Sequence, residues 1–152
     1  MVQFPIHIPF VEHLGFELVR FEGGEAEIVL DLRAELLNSF QVAHGGVLMT
    51  LLDVVMAHAA RSVNRDLPDG GPGVVTIEMK TSFMRPGEGR LRAVGRRLHG
   101  SATMAFTEAS ILNAEGALCA HATGTFKYVR RLPTTDRQIR PLQRRLDGAG
   151  SD

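Results

Sequence analysis

Asp53 stands alone in its surroundings: every other residue from Leu51 to Ala57 is apolar. A carboxylate placed among such neighbours loses hydration at a cost of several kcal/mol unless it finds a partner. Its pKa then rises toward neutrality, which turns a weak base into a useful general base. The competing reading is structural, a polar group bonded to a neighbouring chain or to a buried water. Upstream, Gly45-Gly46 opens the same stretch. A helix beginning there leaves backbone N–H groups free at its positive end, where they suit a developing oxyanion, and two glycines let a ligand come close. Asp53 follows Gly45 by eight residues, which at 1.5 Å per residue is about 12 Å along the helix axis. One chain cannot easily bring both groups to one carbonyl. A two-fold dimer with antiparallel central helices can, by setting Asp53 of one subunit beside Gly45 of the other.

The elements that must position these groups follow from the patterning. Phe10–Gly15 predicts a short helical turn stopped by Gly15, and the alternating runs on either side of Gly23-Gly24 predict a β-hairpin over Phe16–Leu32. Asn38–Gly46 has loop composition, and Val47–Val63 is too long and too weakly alternating for a strand. It reads as a helix that is apolar almost all the way round, hence central, with neighbours on more than one side. After the loop Asn64–Gly73, four strands are predicted over Val74–Arg85, Arg90–His99, Ala102–Asn113 and Ala117–Arg130. The short turns between them imply antiparallel neighbours. The result is an α+β chain, a curved antiparallel β-sheet wrapped around one long central α-helix. Residues 1–131 read as a single domain, and residues 132–152, with four arginines and interrupting prolines, as a partly mobile tail.

Composition narrows the function classes. The 152 residues suffice for one core, and 17 Lys plus Arg against 17 Asp plus Glu leave no broadly basic nucleic-acid surface. The single cysteine, Cys119, excludes an intramolecular disulfide and a multi-cysteine zinc site, which points to a reducing, cytoplasmic setting. The first residues lack a basic-then-apolar signal, and no stretch approaches the ~20 apolar residues of a membrane span. His58 follows Asp53 by five residues and so points about 140° away round the helix, reading as a core or interface histidine. His7, His13, His99 and His121 have no metal-ligand spacing, and Cys119 reads as a small buried hydrophobe.

The run Asn38-x5-His44-Gly45-Gly46-x6-Asp53, followed by Ser82-Phe83-Met84-Arg85-Pro86-Gly87, resembles the hotdog-fold acyl-CoA thioesterases of the phenylacetic-acid-degradation type. The similarity spans about Phe10 to Lys127, and includes the turn at Asn113–Ala117 and the close Ala122-Thr-Gly-Thr-Phe126. The resemblance implies a helix wrapped by an antiparallel sheet, a homodimer with two composite sites, and often a homotetramer. It implies that the Gly45 N–H and the Asn38 amide polarise the thioester carbonyl while Asp53 of the partner activates water or attacks directly. Thr76, on the first strand after the helix, would hold that water, and His44 would buttress Asn38 or lie near the departing sulfur. Such chemistry needs no metal and no cofactor beyond the coenzyme A of the substrate itself. Gly46, Met49, Met56 and Phe83 are candidates for the substrate wall, with plain core packing the alternative for the methionines. Coenzyme A carries phosphates, so Arg85, ahead of Arg90, Arg92, Arg96 and Arg97, is the candidate contact for them.

Two other readings of the same residues differ in class. A hotdog hydratase or dehydratase would alter the acyl chain and release no thiol, but residues 38–46 lack the proline-bearing loop context such enzymes share. A non-catalytic acyl-CoA sensor would bind without cleaving, and the chain ends here are too short and Pro-interrupted for the added DNA-binding helix pair.

Overall fold

The computed structural model describes residues 2–130 and Ile139; the rest of the tail expected over 132–152 lies outside the described residues. Helix α1 (Pro9–Leu14) carries proline in its first turn and ends at Gly15, whose φ of 79° is the left-handed cap that glycine adopts without a Cβ penalty. Strands β1 (Glu17–Glu22) and β2 (Glu25–Asp31) form the expected hairpin on Gly23-Gly24. Both glycines have positive φ, 58° and 86°, as the twist of a two-residue hairpin turn demands. Helix α2 (Gly45–Ser62) is followed by β3 (Gly73–Phe83), β4 (Arg90–Gly100), β5 (Met104–Leu112) and β6 (Leu118–Val129). Predicted and observed bounds agree to within two residues at each strand end.

The six strands make one antiparallel sheet in the order β1-β2-β4-β5-β6-β3, and α2 touches all six. Its Leu48, Leu51, Leu52, Val55, Met56, Ala59 and Ala60 are buried with the inward residues of the strands, such as Ile28, Leu91, Ile111 and Phe126. The helix packs closest at β4: a Cβ on Gly95 would lie 2.8 Å from the Val55 carbonyl oxygen, so only glycine fits beneath the helix backbone there. One stripe of α2 escapes the sheet. Met49 is exposed, and Thr50, Asp53, Val54 and Ala57 are half-buried. The apolar character read as a helix enclosed on all sides therefore includes a face that no strand of its own chain covers.

One connection corrects the sequence reading. The turn at Pro86–Gly89 implied that β3 and β4 are neighbours, yet β3 pairs along its length with β6 and forms the opposite edge of the sheet from β1. Residues 84–89 are a crossing strap. Their backbone groups find partners outside any hairpin: Met84 and Arg85 N–H donate to the Cys119 carbonyl, Gly87 O accepts from Ala43 N–H, and Gly89 O accepts from Leu32 N–H. Pro86 has no N–H to place, and Gly87 lets the strap press on Ala43, Leu48 and Leu91, where a Cβ would come within 3.4 Å of each.

Candidate active site

The N-terminus of α2 presents its first backbone N–H groups beside a capping side chain. His44 is its N-cap, and its Nδ1 accepts a hydrogen bond of 2.9 Å from Gly46 N–H. That bond fixes the tautomer with the proton on Nε2. The Val47 and Leu48 N–H groups turn back to the His44 carbonyl. Gly45 N–H is thus the donor left without an acceptor among the described residues. Across a cleft of about 330 Å³ lies Asn38, and the walls between are Leu48, Phe83, Arg85 and Gly87. Asn38 Oδ1 accepts from the N–H groups of Phe40 (2.9 Å) and Val42 (3.3 Å). Two N–H donors can meet only the carbonyl end of a carboxamide, so the NH₂ is the end left for a ligand. The Phe83 ring stands beside the helix start, 3.7 Å from where a Cβ on Gly45 would be.

Asp53 lies elsewhere. Two turns further along α2 it meets β3, where the Thr76 hydroxyl donates to Oδ1 at 2.7 Å. Burial pushes the Asp53 carboxyl above its ordinary range and the Thr76 hydrogen bond holds it partly back. It does not line the cleft described above. The separation inferred from spacing is therefore kept in the fold: donors at one end of the helix stripe, carboxylate and hydroxyl at the other. Beside that stripe runs β3, an unpaired sheet edge that exposes Ile77 and Phe83.

Of the expected site residues, the structure brings together Asn38, Gly45, Phe83 and Arg85 in the cleft and Asp53 with Thr76 on the stripe. His44 does not bond to Asn38; its ring is held by Gly46 N–H, which in turn removes Gly46 from the free donors. Met49 sits on the exposed stripe, outside the cleft lining. Met56 is corrected: it is fully buried, with its thioether packed against Gly124, so it fills core and is closed to a ligand. Arg85 is exposed, with one guanidinium nitrogen donating to the Leu118 carbonyl at 2.7 Å. Arg90, Arg92 and Arg96 instead face acids across the strands, Asp31, Glu27 and Glu108. His58 is buried edge-on against Phe4 and Phe21, with Nδ1 donating to the Val54 carbonyl at 2.7 Å. Desolvation pulls its pKa down to about 4, so it is a neutral core residue. No cluster of metal-ligating side chains occurs among the described residues, and none of their helices is long and apolar enough to cross a membrane.

Sequence reasoning missed the strap and the cap. Gly87 was legible as turn punctuation and as part of the motif that carries the resemblance, not as the point where a strap presses on the helix, and histidine is not a residue whose presence signals an N-cap. Gln41 was missed entirely; it holds φ at 64°, the only non-glycine with positive φ among the described residues.

With helix, cleft and sheet in place, comparison with known proteins fixes the family. The Thioesterase superfamily description matches residues 40–120, more than half of the chain. The chain belongs to the thioesterase superfamily. Its α+β sheet around a central helix is the hotdog fold. A conserved protein of Pseudomonas aeruginosa is 31% identical over 82% of this chain and 96% of its own, with a TM-score of 0.74. A variant of the phenylacetic acid degradation protein PaaI of Thermus thermophilus is 30% identical over 80% of this chain and all of its own, with a TM-score of 0.70. The medium/long-chain acyl-CoA thioesterase YigI of Escherichia coli is 27% identical over 81% of this chain and 87% of its own.

Proposed function

We propose that this thioesterase hydrolyses the thioester of aryl- or fatty-acyl-CoA to the free acid and coenzyme A in sites shared by two protomers. The observation that carries the reading is the division of the machinery along α2. A free Gly45 N–H and the Asn38 carboxamide flank one cleft, while Asp53 and Thr76 sit on an uncovered stripe about 12 Å away. Antiparallel apposition of two such stripes, with the β3 edges side by side, delivers the carboxylate of one chain to the donors of the other and covers Met49 and Ile77. The names of the relatives YigI and PaaI support acyl-CoA as substrate class.

The steps follow from the groups. The thioester carbonyl oxygen lies between Gly45 N–H and Asn38 NH₂, which stabilise the charge it gains. Asp53 accepts a proton from a water that the Thr76 hydroxyl helps hold, and the resulting hydroxide adds to the carbonyl carbon. Collapse of the tetrahedral adduct breaks the C–S bond, and the thiolate departs and takes up a proton. Direct attack by Asp53, giving an anhydride that water then opens, uses the same placement. The acyl group packs on Leu48 and Phe83, with Met49 added at the protomer boundary, and the free end of the Arg85 guanidinium meets the phosphates of coenzyme A. A cytoplasmic dimer or tetramer fits the lone thiol and the uncovered stripe.

The test is thiol release from aryl-acetyl, benzoyl and short to long fatty acyl-CoAs. Hydrolysis of at least one class with stoichiometric free thiol is expected. Conversion of enoyl or 3-hydroxyacyl thioesters without thiol release would transfer the chain to hydratase chemistry, and tight binding without turnover would make it a sensor.

A further inference from the structure

The loop carrying Asn38 is a tight three-residue hairpin. Leu37 and Ala43 bridge its mouth; Asn38 N–H donates to Val42 O at 2.8 Å, and Gln41 N–H donates to Asn38 O at 3.0 Å. With the two bonds that Oδ1 accepts from Phe40 and Val42, four hydrogen bonds converge on Asn38. A three-residue hairpin of this kind closes only if its last loop residue is left-handed, a place ordinarily taken by glycine. Here that residue is Gln41, at φ 64°. Its side chain is exposed. Its backbone, by contrast, decides which way the Val42 N–H points, and so whether Asn38 Oδ1 keeps a second partner beside the Phe40 N–H.

We propose that Gln41 is the positioning residue of the oxyanion site: its left-handed backbone locks the Asn38 carboxamide with its NH₂ toward the cleft. This rests on the reading of Asn38 as an oxyanion donor. If Gln41 leaves the left-handed region, the Val42 N–H swings away, and the carboxamide, held by the Phe40 N–H alone, rotates more readily. Such rotation lowers the fraction of enzyme with a donor in place without altering the apolar wall that binds substrate, so it acts on kcat rather than KM.

The experiment is a series at one position, read by thiol release from the best acyl-CoA substrate. Residues should rank by their ease in the left-handed region, not by side-chain chemistry. Gln41→Gly and Gln41→Asn keep or exceed the parental kcat, Gln41→Ala, whose Cβ meets positive φ just as that of glutamine does, matches it, and Gln41→Val loses roughly ten-fold because its branched Cβ opposes positive φ. KM stays within about two-fold throughout. The Asn38 side-chain NH₂ resonances, assigned with Asn38→Asp, stay sharp in the Gly variant and broaden in the Val variant. If Gln41→Val does not fold, the smaller β-branched Gln41→Thr against Gln41→Gly carries the comparison. A flat series, or a Gly variant as impaired as Val, overturns the proposal. Asn38→Ala separates the two claims: full activity in that variant would remove the donor role itself, whereas its loss beside a flat Gln41 series would remove only the positioning role.

Discussion

Replacing Asp53 with asparagine separates catalysis from stability. The amide is nearly isosteric and its Oδ1 still accepts the 2.7 Å hydrogen bond from the Thr76 hydroxyl, so the local fold is retained. The ability to take a proton is lost. General-base assistance is worth about 10²–10⁴ in rate, equivalent to roughly 3–5 kcal/mol of transition-state stabilisation. Stability should move the other way. Because burial raises the Asp53 pKa on folding, the unfolded chain releases this proton first as pH rises. The parent therefore loses stability from the ordinary carboxylate range up to the raised value and stays lower above it. The variant carries no such penalty. Thiol-release kinetics and thermal melts at pH 8 and at pH 4 check both halves. The expected result is a collapse of kcat with a melting temperature at or above the parent at pH 8, the two converging in acid. More than half of the parental activity retained on every substrate would refute the reasoning, and so would a variant that simply unfolds at pH 8.

Two further outcomes follow from the same physics. Thr76→Val removes the hydrogen bond that holds the Asp53 pKa down, so the acidic limb of the kcat–pH profile should shift to higher pH, with kcat at its plateau reduced about ten-fold; an unmoved limb would disconnect Thr76 from the base. His58 is neutral in the folded core, its pKa lowered from 6.5 to about 4. As pH falls through that window the unfolded chain binds a proton that the folded chain refuses, so stability should drop by up to about 3 kcal/mol between neutral pH and pH 4. His58→Gln, which can still donate to the Val54 carbonyl, should flatten that slope in chemical denaturation, and an unchanged slope would assign it to other groups.

Local features were the legible ones. The glycine pair at residues 23 and 24, the alternating strands and the long apolar helix each state their structure through backbone preference and periodicity. The placement of Asp53 far from Gly45 followed from helix rise alone. Strand order did not follow, because Pro86-Gly87 signals a change of direction without saying whether the chain turns back beside its own strand or crosses the sheet; the partners of Met84, Arg85, Gly87 and Gly89 decide that, and they come from distant segments. Met56 misled for a related reason: its side of the helix is fixed by sequence, but whether that side faces ligand or core depends on Gly124 in β6. Gln41 carried no signal, since glutamine, unlike glycine or asparagine, has no preference for the left-handed region that would mark the position in a sequence.

The claim that two chains share each reaction centre is tested most directly by mixing two inactive variants. Asp53→Ala lacks the proposed base and Asn38→Ala lacks one of the proposed oxyanion donors. A heterodimer of the two has one centre carrying both lesions and one carrying neither. Unfolding and refolding an equimolar mixture should therefore restore thiol release to about a quarter of the parental activity, since half of the random dimers are mixed and each has one intact centre. If both groups served one centre within a single chain, every chain would remain defective and the mixture would stay as inactive as its components.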